Sequence, residues 1–512
     1  MKTEAEGSLT IFSALSLLLI LSFLLALLEG ARVSGLQMMD TLAADTGMDC
    51  VAAEYQTVLW DKYHLLYLDG AYGWDQFDEN KVSSRVMDYV AGNLSETGEN
   101  SVFRTKLCEA SLLEYMFATD NDGTGMLRQA SAYMKRHLPE DVAKKMYQQY
   151  QDGKKAEADG KTEYSVEDAD QAIINAKKEK EQADQNDKEG APQEEAGEKN
   201  IQDNENNHAQ DAEDGKKESP IQIVLQLKQN ALLGMTVSDM SSLSAKAVEA
   251  KDMVSNRQCE TGRYDMKKAE KRNVSDRVMV LEYIGKHFSD YTEPGKGDLT
   301  YEMEYILCGK DTDKKNLESS IERLMRMREA ANVAHIIADR EKLNQTLMIA
   351  TSLAGFSGNP AVIKIVQIGV VAAWAYVESI LDLRTLLSGG KISLIKSAAE
   401  WTTDLKKLGE IVTGEGKARE CKNGLSYQAY IKQLLFAMKE KKMAYRMMDI
   451  MELAMQKEQN GKNARMDHMI DNMICELRFE AKPLFAKRSL YGDMEMGGYT
   501  FFKRQKLSYI NK

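Results

Sequence analysis

Proline is scarce in this chain: six residues in 512, too few for a proline-rich spacer and few enough for long helices to run unbroken. Paired cysteines are missing as well. Cys50, Cys108, Cys259, Cys308, Cys421 and Cys475 stand singly with no CxxC, which excludes a local zinc knuckle and a thioredoxin-type motif. Their even number permits disulfides on an exported domain, and the same count suits buried thiols. Basic charge is in deficit, with 67 Lys and Arg against 79 Asp and Glu and a net charge of −12. That balance argues against a broad basic face for nucleic acid or an anionic membrane.

Signatures of catalysis and metal binding are absent too. No HExxH, GxxxxGK[ST] or GxSxG occurs, and Gly355-Phe356-Ser357-Gly358 is followed by Asn359 where a nucleophile elbow requires Gly. Asp120-Asn121-Asp122-Gly123 has the look of a calcium loop. Alignment on Gly123 puts Ala118 and Gln129 at the first and last ligand positions, where Asp and a bidentate Glu are needed, so the segment reads as a turn between helices. His64, His137, His208, His287, His335 and His468 have no His or Cys ligand partner three or four residues away.

What is present in strength is one apolar run. Leu9–Leu28 is uncharged and Leu-dominated, and about twenty helical residues cross roughly 30 Å of hydrocarbon. Its flanks fit a retained anchor better than a cleaved signal. The start carries Lys2 against Glu4 and Glu6, and the membrane-exit motif reads Glu29-Gly30-Ala31-Arg32 in place of a small-residue cleavage site. Glu29 reads as an interfacial carboxylate that reaches water and needs no partner. The junction Gly7-Ser8, followed by Leu9-Thr10-Ile11-Phe12, resembles the leader-peptidase site of type IV pilin-like proteins, with Phe12 where pilins carry Glu. A second apolar stretch, Ile365–Val377, is bounded or interrupted by Lys364, Gln367 and Glu378 and reads as a buried core helix.

Composition and periodicity predict a mainly α (α+β) chain with a small antiparallel sheet. The expected order is a short cytoplasmic leader, 1–8; a transmembrane helix, 9–28; an amphipathic stalk helix, 29–53; a helical subdomain, 54–151; a disordered, charged linker or insertion, 152–219; and a helical domain with C-terminal strands, 220–512. The linker is too poor in apolar residues to offset its ordering entropy, with transient helix near Ala172–Lys180 at most. Val33, Leu36, Met39, Ala43 and Gly47 mark the stalk. A short strand is expected near His64–Leu68, and Phe103, Leu107 and Tyr115 mark a helical stripe. Asp313, Asn359-Pro360 and Ser426 are expected to open helices, and Met443, Met447, Ile450 and Leu453 to face a core. Alternation at Leu299–Leu307, at Cys475–Glu480, and at Tyr499–Tyr509 after Gly497-Gly498 predicts three strands of one sheet.

Several segments together carry a family likeness: Gly7–Phe12, Leu28–Val33, Ala53–Tyr55, Leu59-Trp60, Tyr63, Leu65-Leu66, Leu68–Gly70, Thr119–Asn121, Tyr301–Leu307 and Gly424–Tyr427. In these the chain resembles functionally uncharacterised envelope proteins of low-GC Gram-positive bacteria. The genes of those proteins tend to lie with Tad-type pilus assembly genes, beside small pilin-like TadE and TadG proteins. The resemblance implies a cytoplasmic N-terminus and an outward-facing large domain. The expectation is a non-enzymatic, single-pass, membrane-anchored extracytoplasmic component of a Tad-like pilus or secretion system. Its partners would be the membrane and assembly proteins, with no cofactor, metal, nucleic acid or small-molecule substrate. The alternative is an envelope-anchored hydrolase or sensor whose site is assembled from distant residues.

Overall fold

The computed structural model describes residues 2–95, 102–159, 165–189, 219–264, 274–409, 416–458, 461–484 and 498–509. In chain order its helices are α1 (Lys2–Ala52), α2 (Thr57–Tyr63), α3 (Glu79–Ser95), α4 (Asp120–His137), α5 (Glu140–Asp159), α6 (Val166–Glu189), α7 (Pro220–Lys228), α8 (Leu232–Thr236), α9 (Val274–His287), α10 (Glu302–Cys308), α11 (Asp313–Ala338), α12 (Arg340–Ala354), α13 (Pro360–Leu387), α14 (Tyr427–Phe436) and α15 (Glu440–Gln456). Its strands are β1 (Leu68–Asp69), β2 (Lys106–Phe117), β3 (Met469–Ala481) and β4 (Tyr499–Ser508). The chain is thus mainly α with one small antiparallel sheet, as expected. It divides into two units, each discontinuous in sequence: unit 1 is Met1–His137, Ala250–Tyr283 and Lys439–Lys512, and unit 2 is Leu138–Glu249 and Ile284–Met438.

Unit 1 is organised by α1, a helix of 51 residues that no proline interrupts, the first proline being Pro139. From Leu9 to Leu28 its large side chains are mostly exposed, and the run is long and apolar enough to cross a membrane. From Glu29 onward one face turns inward. Glu29, Arg32, Leu36, Asp40, Ala43, Ala44, Met48 and Val51 are buried at helical spacing, so the expected stalk is built into the unit along that face.

The sheet beneath it is centred on β3, which pairs antiparallel with β2 along one edge and with β4 and β1 along the other. Leu107, Leu112, Phe117, Ile470, Met473, Leu477, Phe479 and Leu507 form the core with the buried face of α1 and with Val82, Val86 and Val90 of α3. Tyr509 donates its hydroxyl to Ala52 O (2.8 Å) and its N–H to Asp471 O (3.4 Å), while Arg32 reaches Lys482 O (3.0 Å). The helix therefore lies lengthwise along β3, with Arg32 at the Ala481 end and Ala52 at the Asp471 end.

Two expectations about strands are corrected. The stripe Phe103, Leu107 and Tyr115 belongs to no helix, because 106–117 is β2. Its register against β3 shifts at three places, between Leu107 and Glu109, Leu112 and Glu114, and Met116 and Phe117. Each bulge resets the two-residue alternation, and the buried positions fall at spacings that imitate a helix. Conversely, the alternating segment 299–307 is no strand: Glu302–Cys308 is α10, closed by Gly309 at φ 65°. A short helix buried all round presents no 3.6-residue stripe, and its Tyr-Met-Tyr alternation is incidental. The place expected for it in the sheet is taken by β2. Gly497 lies outside the described residues.

Unit 2 is assembled around α13, which opens with Asn359 as N-cap and Pro360 at its first position. It is buried from Val366 through Leu387 except at Ile368 and Arg384, and it packs on α6, α7, α11 and α12. Within 152–219 the described residues are almost all helical, α5 running to Asp159 and α6 spanning Val166–Glu189, beyond the transient helix expected near Ala172–Lys180. Helix α6 seats Val166, Ala169 and Ala176 inward, spaced so that small residues suffice for close helix approach, while 160–164 and 190–218 lie outside the described residues. Thr312, not Asp313, caps α11; Asp313 turns inward and accepts from Ser244 Oγ (2.6 Å) and Thr300 N (2.8 Å).

Glu378, which ends the apolar stretch, belongs to a fully buried ionic quartet. Asp382 accepts from Arg328 of α11 through Nε (3.1 Å) and pairs with Lys396 Nζ at 2.5 Å, and Lys396 also pairs with Glu378. Glu378 accepts from the backbone of Thr402 and Thr403, and Arg328 donates to Ser393 O, Leu394 O and Tyr430 Oη. Removing one cation strands the carboxylates it neutralises, at a cost of about 3–5 kcal/mol. Lys396→Met is therefore expected to lower the urea midpoint of unit 2 strongly; an unchanged midpoint contradicts this role.

Candidate functional site

The residues that end the exposed run build the most connected polar site on α1. Glu29 and Arg32 lie one helical turn apart on one face, and both are buried. Arg32 Nη1 donates to Glu29 Oε1 at 2.8 Å, Nε to Val102 O at 2.6 Å and Nη2 to Lys482 O at 3.0 Å. Leu484 N donates to Glu29 Oε1 at 3.3 Å. The rigid fork of the guanidinium suits this task, since it can serve three acceptors in different directions at once. Glu29 is thus not the unpartnered interfacial carboxylate expected. It is half of a clamp that ties α1 to the loop before β2 and to the chain leaving β3. Gly30 and Ala31 face outward between the two charges, and Gly7 and Ser8 lie within α1 directly before the apolar run.

Further along the inward stripe the buried groups are acids. Burial pushes Asp40 up to about 6, against the charge of Lys503. Burial likewise pushes Asp471 of β3 up to about 7, against a hydrogen bond from Gln129, whose Nε2 lies 3.1 Å from Asp471 Oδ1. In both cases the surrounding core disfavours the charged form of the carboxyl.

A second polar cluster closes unit 1. Arg257 pairs with Glu452 through both terminal nitrogens (2.5 and 2.8 Å) and reaches Asp467 Oδ1 at 2.6 Å. Burial opposes the charge on Asp467, yet hydrogen bonds from Arg465, Glu260 N and Arg257 hold it at about 2. His468, solitary in the sequence, is brought to 3.2 Å from Glu260 Oε1. Asp120 is committed to the backbone, accepting from Phe117 N (2.7 Å) and Gly262 N (3.0 Å). The turn that follows holds Asn121, Asp122 and Gly123 at positive φ, and a Cβ at Gly123 would meet Met448 Cε at 2.8 Å. Among the described residues no group of three His, Cys, Asp or Glu is placed to hold a metal ion, and all six cysteines are free thiols.

None of these partnerships was visible from local patterning. Val102 and Lys482 lie 70 and 450 residues from Arg32, and the one legible signal was the pair Glu29 and Arg32 at i, i+3. Compared with known proteins, residues 210–481, more than half of the chain, match the model of a family of unknown function, DUF5702. No curated protein and no solved structure matches.

Arg32→Met leaves Glu29 buried without its cation, and a loss of about 3–5 kcal/mol from unit 1 is expected in chemical unfolding of the solubilised full chain. Glu29→Gln, which keeps an acceptor for Leu484 N, is expected to lose less; equal stability of Arg32→Met and wild type contradicts the clamp. For Asp471, a raised carboxyl stabilises the fold fully below the ordinary value near 4. That contribution declines by about 1.4 kcal/mol per pH unit above it and is gone above about 7. Asp471→Asn is thus expected to gain in melting temperature on wild type between pH 4 and 7 and to level off beyond. A difference that does not vary with pH contradicts a protonated Asp471.

Proposed function

The chain belongs to the DUF5702 family, whose function is unknown, and we propose that it is a non-enzymatic, single-pass, membrane-anchored extracytoplasmic component of a Tad-like pilus or secretion system. The observation that carries this reading is α1. One unbroken helix combines a largely exposed apolar run with an inward face that is part of the core of unit 1. Such a helix holds a folded body at a fixed distance and orientation from whatever covers its apolar end. The likeness of Gly7–Phe12 to a pilin leader junction supports a position for that body beside pilus assembly proteins. Phe12, standing where pilins carry Glu, favours an assembly component over a filament subunit. The outward orientation of the folded units rests on the family resemblance.

The test is recovery of the protein from native membranes after mild crosslinking, with its partners and its N-terminal residue identified by mass spectrometry. Tad-type assembly proteins are expected among the partners, and an N-terminus at Ser8 would add cleavage after Gly7. An intact Met1 with no assembly protein among the partners overturns the pilus reading.

A further inference from the structure

The clamp leaves an apolar rim around α1 at the level where its exposed run ends. Val102, whose carbonyl holds Arg32, is 50% exposed; Phe103 is 41% exposed and Leu484, whose N–H holds Glu29, 37%. Phe103 is fixed against the helix, because a Cβ at Gly35 would lie 2.3 Å from its ring; only glycine admits it there. Gly35 stands about 10 Å beyond Leu28 along the helix axis, so these side chains sit within one bilayer interface of the last apolar turn. Exposed Arg104, Lys106 and Lys482 flank them, and Tyr499 lies beside Glu29. Apolar tips among aromatic and basic residues have the composition of a membrane interface. Three cations form a local match to phosphate headgroups and are consistent with a net acidic chain.

We infer that Val102, Phe103 and Leu484 form a seat that enters the headgroup layer of the bilayer, so that unit 1 rests on the membrane surface and does not stand off on a stalk. The occupant is lipid because the rim is continuous with the apolar run of α1, and the inference rests on the reading of that run as an anchor. Held this way, β3 points its Ala481 end at the bilayer and its Met469 end away, about 40 Å farther out.

The experiment places the photocrosslinker p-benzoylphenylalanine singly at Val102, Phe103, Leu484, Ile20 or Trp74 in the full chain. Each form is reconstituted in nanodiscs of phosphatidylethanolamine and phosphatidylglycerol, and lipid adducts are counted by mass spectrometry. Trp74 is 65% exposed and follows β1, at the Met469 end of the sheet. Adducts are expected at Ile20 and at the three rim positions, the latter about tenfold above Trp74. Adducts at Ile20 with none at the rim overturn the seat and leave the anchor standing. Absence at Ile20 overturns the anchor and the seat together. Rim yields equal to that of Trp74, or protein in place of lipid adducts at the rim in native membranes, overturn the seat as well.

Discussion

The architecture of unit 1 depends on one buried ion pair placed where an exposed helix becomes a core helix. Arg32 can be buried because Glu29 offsets its charge and two backbone carbonyls accept from its other two nitrogens. Without that arrangement a cation at this point of the inward stripe would carry an uncompensated desolvation cost of several kcal/mol. With it, the segments entering β2 and leaving β3 are both pinned to the same turn of α1. The sheet is thereby set lengthwise along the helix, Ala481 at Arg32 and Asp471 at Ala52, and the core of Ala43, Met48 and Val51 follows from that register.

Buried charge recurs as a device in both units. The quartet of Arg328, Asp382, Lys396 and Glu378 balances two cations against two carboxylates, and backbone groups take up the remaining valences. Arg257 and Arg465 do the same against Glu452 and Asp467 in unit 1. Where no cation is paired directly, as at Asp40 and Asp471, burial instead raises the carboxyl well above its ordinary range. A partner or a proton keeps each group tolerable, and breaking either exposes the full desolvation penalty. These sites are closed: the side chains of the quartet have no exposure, which suits a role in fixing the packing of α11 against α13.

Legibility followed locality. The stripe Met443, Met447 and Ile450, the Asn359-Pro360 helix start and the alternation of β3 and β4 are written within one element each, and the structure has them where periodicity places them. β2 was hidden because its bulges break the two-residue rhythm, and α10 because burial on all sides erases amphipathicity. The inward seating of α6 was masked by a charged outer face, with Val166, Ala169 and Ala176 too small and sparse to stand out. The clamp was half legible: Glu29 and Arg32 could be paired by spacing, but their carbonyl and amide partners come from distant loops that no local pattern announces.

Joined in this way, residues 33–52 of α1 and the sheet should open as one cooperative body. Hydrogen exchange on the full chain in lipid nanodiscs tests this by comparing amides of that segment with those of β3. Residues 33–52 are expected to be protected to the same degree as 472–480 and to exchange with them in a single opening event. Ready exchange of 33–52 while β3 stays protected would show a helix merely lying beside the sheet, and would contradict it.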